Sequence, residues 1–106
     1  MRIELLYFEG CPSYEALLPA LRALLQRQGI DERIDLRRVE SPEAAERERF
    51  LGSPTVRIDG IDIDPGAGER DDFGLKCRLY RTAVGASGMP PEEWIVEALR
   101  RRGADS

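Results

Sequence analysis

The chain contains no histidine. That removes the commonest general base and the commonest metal ligand, and with them most hydrolase and zinc-enzyme readings. It has only two cysteines, Cys11 and Cys77. Two sulfur ligands are few for a structural zinc site, which usually takes four. In a reducing compartment two such thiols are free, metal-bound or redox-active rather than a permanent staple. No segment approaches the roughly 20 apolar residues a membrane span requires, and Met1-Arg2 leads into an apolar strand pattern without a secretory signal. These absences set the expectation of a cytoplasmic protein with no membrane association. An excess of basic residues is also missing: 16 Lys and Arg stand against 20 Asp and Glu, a formal charge of −4. Nucleic-acid binding calls for a basic face, so none is expected. The one basic run, Arg100-Arg101-Arg102, reads as a helix end complementing the helix dipole.

What is present is a compact alternation of elements. A length of 106 residues fits a single domain over 1–106, with 42% hydrophobic and 34% charged residues as in ordinary globular proteins. Arg2 to Phe8 reads as a strand, apolar on both faces and therefore central. A helix from about Pro12 to Gln28 carries Leu17, Leu18, Leu21, Leu24 and Leu25 on one stripe, with Pro19 inside it and Gly29 as its stop. Arg33 to Val39 alternates as an edge strand, although Val39 falls out of phase. Ser41-Pro42-Glu43 starts a polar helix ending near Gly52. Thr55 to Ile58 and Ile61 to Asp64 flank Asp59-Gly60, the strongest hairpin signal in the chain. Pro65 to Gly74 reads as loop, and Leu75 to Arg81 as a short strand or extended segment. A last helix runs from Glu92 to about Arg101, burying Trp94, Ile95, Ala98 and Leu99. The order is βαβαββα. The first strand–helix–strand unit requires a parallel pair, and the hairpin is expected to add two strands antiparallel to it.

Chemistry concentrates at Cys11. Glu9 and Gly10 break the first strand, and Cys11-Pro12-Ser13 opens the helix. Unpaired N–H groups and the positive end of the helix dipole favour a thiolate there. The hairpin's second strand should run back toward the Cys11 end of the sheet, which brings Cys77 within reach. Cys77 reads either as a partner thiol or as a small buried hydrophobe. The acidic stretch Asp59, Asp62, Asp64, Glu69, Asp71 and Asp72 lacks EF-hand spacing and reads as a solvated loop. Gly66-Ala67-Gly68 does not lead into a helix as a dinucleotide fingerprint does.

Cys11 at the strand-to-helix junction, Pro19 eight residues on, and Ser53-Pro54 before a strand together resemble the thioredoxin and glutaredoxin superfamily. Cys77-Arg78-Leu79-Tyr80 is similar to a feature of small bacterial thioredoxin-like proteins. The resemblance implies a thioredoxin-like βαβαββα fold: a four-stranded mixed sheet flanked by helices, with a cis proline at Pro54. It implies a thiol–disulfide oxidoreductase with Cys11 as nucleophile and a groove shaped by Pro12, Ser13, Tyr14, Ser53 and Pro54. Tyr14 stands where the second cysteine of a C-x-x-C would be, which excludes that dithiol cycle. Cys77 or external glutathione would then resolve the mixed disulfide. Partners would be protein or small-molecule thiols and disulfides, with no resident cofactor or metal. The alternatives are a redox-inactive binding module on the same fold and a soft-metal or organomercurial binder using both thiols.

Overall fold

The computed structural model describes residues 1–104. Strand β1 (Ile3–Tyr7) is central because it has apolar side chains for both faces. Ile3 and Leu5 face the larger core and Leu6 the smaller one, all three fully buried. Strand β2 (Ile34–Arg38) pairs parallel to β1, with Ile3 opposite Ile34. Strand β3 (Thr55–Ile58) pairs antiparallel on the other side, with Leu5 opposite Val56. Strand β4 (Ile61–Asp62) completes a four-stranded mixed sheet in the order β2-β1-β3-β4. β4 is antiparallel to β3, so it runs in the direction of β1. The expectation that both hairpin strands oppose the first pair is corrected: only β3 does. The turn between them holds Asp59 and Gly60 at φ 53° and 82°, the left-handed pair that a two-residue hairpin needs.

Helix α1 (Ser13–Arg27) buries Leu17, Leu21, Leu24 and Leu25 on the larger core, and helix α3 (Glu92–Ala104) adds Ile95, Ala98 and Leu99. Each such leucine contributes about 1.5–3 kcal/mol by leaving water. Pro19 lies inside α1, where it withholds one backbone N–H. Helix α2 (Pro42–Arg47) is short and lies on the opposite face. Ser41 caps it by accepting from the Ala44 N–H at 3.0 Å. It stops well before Gly52, because Arg49 turns left-handed at φ 56° and the chain dives to bury Phe50. Val39 is out of phase because it lies just past β2, where its N–H still bonds the Tyr7 carbonyl at 2.8 Å and its side chain joins Leu6, Ala45 and Phe50.

Two further strands, β5 (Tyr80–Thr82) and β6 (Gly85–Ser87), form a separate hairpin before α3. Nothing in Gly85-Ala86-Ser87 marks a strand, since all three are small and exposed. Among the described residues no helix is long and apolar enough to cross a membrane.

Candidate functional site

The C-terminal end of β1 delivers the chain through Gly10, at φ 103°, to Cys11, two residues before α1. The loop before β3 approaches from the side: the Ser53-Pro54 peptide is cis, and the Cys11 thiol donates to the Ser53 carbonyl at 3.4 Å. A third segment closes over both. Ser53 and Cys77 form a β-bridge, in which the Ser53 N–H donates to the Lys76 carbonyl at 2.8 Å and the Arg78 N–H donates to the Ser53 carbonyl at 2.9 Å. This bridge places the Cys77 sulfur 3.6 Å from that of Cys11, as a donor to it. Both cysteines are free.

The two sulfurs differ in surroundings. Cys11 is only 1% exposed, whereas Cys77 faces solvent. The sequence marks Cys11 as the nucleophile; the structure buries it beside the exposed sulfur of Cys77. Burial alone would oppose ionisation of Cys11. Hydrogen bonds from the Ser53 side chain, the Ser13 backbone, the Cys77 thiol and the Ser13 hydroxyl outweigh it and hold Cys11 below the ordinary thiol range. The Ser53 hydroxyl is fully buried and has no partner while Cys11 is a thiol. A thiolate at Cys11 would offer it an acceptor. Cys77 moves the other way: its hydrogen bond to Cys11, then burial, then the charge on Cys11 keep its proton on. The two shifts therefore order the sulfurs: Cys11, buried, gives up its proton before the exposed Cys77 does.

Other residues singled out in the sequence lie around this pair in different ways. Ser13 reaches the Cys11 sulfur, and Pro12 is exposed at the start of α1. Tyr14 stacks on Tyr7 with ring centres 4.1 Å apart, which fixes the first turn of α1 against the end of β1. Ser53 offers no free edge: its backbone N–H and carbonyl are taken by Lys76 and Arg78. The backbone edge of Ser53 is thus occupied by the chain itself.

Arg78, marked in the sequence only as part of Cys77-Arg78-Leu79-Tyr80, has a role that sequence reasoning did not assign. Its side chain is fully buried, with Nη1 2.7 Å from Asp62 Oδ2 and Nη2 3.2 Å from Asp64 Oδ2. Nη1 also donates to Thr55 Oγ1 at 3.0 Å, and the guanidinium lies 4.5 Å from the Tyr80 ring centre. The Tyr80 hydroxyl donates to the Pro54 carbonyl. Two members of the acidic stretch, Asp62 and Asp64, are thus not solvated loop residues but the counterions of a buried cation. The one available signal was a lone arginine between Cys77 and the apolar pair Leu79-Tyr80, next to a hairpin strand ending in two aspartates at alternate positions. Among the described residues no group of three or more His, Cys, Asp or Glu is placed to hold a metal ion.

Gly52 shows how closely the covering segment is seated. At φ 125°, a Cβ there would lie 2.9 Å from the Lys76 carbonyl oxygen and 3.0 Å from Arg78 Cβ. Both contacts are with well-held atoms, so Gly52→Ala is expected to push the segment off Ser53 at a cost of about 1–3 kcal/mol. Urea denaturation should record that loss, and oxidative closure of the two thiols should slow with it. An unchanged midpoint and closure rate would show that the segment is not seated on Gly52.

Comparison of the chain with protein-family models, with curated proteins and with solved structures finds no match in any of the three.

Proposed function

We propose that this protein is a thioredoxin-like thiol–disulfide oxidoreductase whose working pair is Cys11 and Cys77. The observation that carries this reading is the 3.6 Å approach of the two sulfurs, one buried and one exposed. A disulfide needs about 2.05 Å, so the pair closes by a small movement of one exposed side chain. The order of strands and helices, the strand-to-helix position of Cys11 and the Ser53-Pro54 loop beside it support the thioredoxin-like assignment.

The burial of Cys11 and the exposure of Cys77 favour the reverse of the order implied by the resemblance. Cys77 is the sulfur that an external disulfide can meet. Its thiolate attacks one sulfur of the substrate, the substrate S–S bond breaks, and the first substrate thiolate leaves. Cys11 then attacks the Cys77 sulfur, the bond from Cys77 to the substrate sulfur breaks, and the second substrate thiolate leaves. The products are one protein disulfide and two substrate thiols, with protons exchanged through solvent. Two electrons pass from the protein to the substrate.

The lowered pKa of Cys11 suits the second step and the reverse reaction. Cys77, whose proton is held on, attacks because it is the accessible sulfur and not because it is the more ionised one. Cys11, held below the ordinary thiol range, is ready to resolve the mixed disulfide. In the reverse reaction a thiol attacks exposed Cys77 and expels Cys11, whose stabilised thiolate makes it a good leaving group.

Mild oxidation followed by intact-mass measurement tests the pairing. The expected product is a monomer lighter by two hydrogens, with Cys11 and Cys77 joined in its peptide map and both released by reductant. A monomer that keeps both thiols under conditions that oxidise an ordinary dithiol would overturn the assignment.

A further inference from the structure

The proposed reaction leaves its substrate open, and two independent features next to Cys77 narrow it. The first is a closed edge. An extended polypeptide docks most readily by pairing its backbone with a free strand or loop edge. The backbone groups of Ser53, beside the two sulfurs, already pair with Lys76 and Arg78. Arg78 holds that segment down through its buried ion pairs with Asp62 and Asp64. A peptide strand pairing with Ser53 would have to displace a segment pinned by a buried cation.

The second is a cavity of about 490 Å³ with Cys77 on its wall. Leu51, Leu79 and Trp94 give it apolar surface, and beside Cys77 the rest of its lining is four cations and the carboxylates of Asp64 and Asp72. Arg70 and Lys76 share a single carboxylate, Asp72, each at 2.7 Å. Arg81 is exposed and has no carboxylate within ion-pair distance among the described residues. Arg78 is the fourth cation, but Asp62 and Asp64 are both turned toward it. Four cations thus stand against three carboxylates, and the unmatched charge is the exposed one at Arg81. This positive spot belongs to a chain whose formal charge is −4, so it is local and not a reflection of overall composition.

We infer that the disulfide reduced at this site is a small molecule carrying carboxylate groups, seated in the cavity beside Cys77 with its anionic end toward Arg81, and not an extended polypeptide. This rests on the oxidoreductase reading and deepens it. The chemistry is that of the previous section: the small disulfide is the oxidant, and it leaves as two anionic thiols.

Three disulfides on one aliphatic scaffold test the charge: dithiodipropionate (anionic), hydroxyethyl disulfide (neutral) and cystamine (cationic). Each oxidation rate of the reduced protein is divided by the rate of the same probe with mercaptoethanol, which removes intrinsic reactivity. At low salt the anionic probe is expected to lead the cationic one by about tenfold or more, and the ratio should fall as salt rises. Arg81→Gln should lower that ratio several-fold. Arg22→Gln removes the same charge from an exposed position on α1 that does not line the cavity, and should leave the ratio where it was. An extended, uncharged peptide disulfide should react at least 100-fold more slowly than the neutral small probe. Equal normalised rates for the three small probes, or a lead for cystamine, would overturn this inference while leaving the redox pair intact. A peptide disulfide as fast as the small probe would do the same for the closed edge. No reaction with any disulfide would overturn the oxidoreductase reading itself, and this inference with it.

Discussion

Replacing Cys11 by serine is expected to arrest the proposed reaction halfway. Cys77 stays exposed in that variant, so it still attacks a small disulfide and takes up one half of it. No second sulfur lies at 3.6 Å to expel that half. The mixed disulfide should accumulate to one equivalent per chain and decay only through external thiol. Loss of a positioned intramolecular nucleophile slows such a step by about 100-fold or more. The complementary variant, Cys77→Ser, keeps the sulfur of Cys11 in place but retains a cover over it. It should take up a small disulfide far more slowly than Cys11→Ser, although Cys11 is the more acidic of the two sulfurs. The contrast is diagnostic, because a nucleophile chosen by ionisation alone would give the opposite pattern. Intact-mass measurement of both variants after brief exposure to hydroxyethyl disulfide reads the difference directly. An adduct that forms rapidly in Cys77→Ser and not in Cys11→Ser would return the role of first nucleophile to Cys11 and sink the order of steps argued above.

The reason acidity and access separate at this site also explains which parts of it could be read from the sequence. The sheet, the three helices and the Asp59-Gly60 turn follow from local patterns: two-residue alternation, three- and four-residue stripes, and a turn pair that tolerates positive φ. The position of Cys11 before α1 follows from the same kind of signal, since strand end, breaker and helix start are adjacent in sequence. The nearness of Cys77 was legible only as a direction of travel, through β4 running back along β1. Its place directly above Cys11 depends on Ser53, 24 residues away, and on a bridge that no periodicity announces. Arg78 was less legible still. A buried cation looks like a solvated one until its counterions are located, and Asp62 and Asp64 read as members of an acidic loop. The sequence marks Cys11 as the sulfur favoured to ionise, but its burial goes with those two hidden arrangements and has no local signal. The short hairpin of β5 and β6 was missed for a simpler reason: Gly85, Ala86 and Ser87 bury no side chain and need no pattern.

The buried arginine is where the largest loss of stability is expected. Arg78 is fully enclosed, and its charge is held by Asp62 through Nη1 and Nη2, by Asp64, and by Thr55 Oγ1. Asp62 and Asp64 are themselves largely shielded, with side chains 13% and 15% exposed. Arg78→Ala would leave two facing carboxylates without their cation and an empty space against Tyr80. Breaking one side of a buried pair typically costs about 3–5 kcal/mol, a large part of the roughly 5–15 kcal/mol that holds a domain of this size together. Urea denaturation of the reduced protein should show that loss, and a change below about 1 kcal/mol would mean the network is not enclosed as described. Arg78→Met separates charge from volume: it fills much of the space yet still strands both carboxylates, so it should recover only a minor part of the loss at neutral pH. Adding Asp62→Asn and Asp64→Asn to Arg78→Met removes the stranded charges and should recover more, because an apolar replacement of a whole buried ion cluster is often close to neutral. If the triple variant is as unstable as Arg78→Ala, packing and not charge balance is what Arg78 supplies. The redox pair gives the second reading of the same variants. Cys77 is covalently next to Arg78, so a folded triple variant that still closes its disulfide at the normal rate would show that the Ser53 bridge alone seats the sulfur. Slowed closure in a folded chain would show that the buried cation, one residue from the exposed thiol, is what holds it over Cys11.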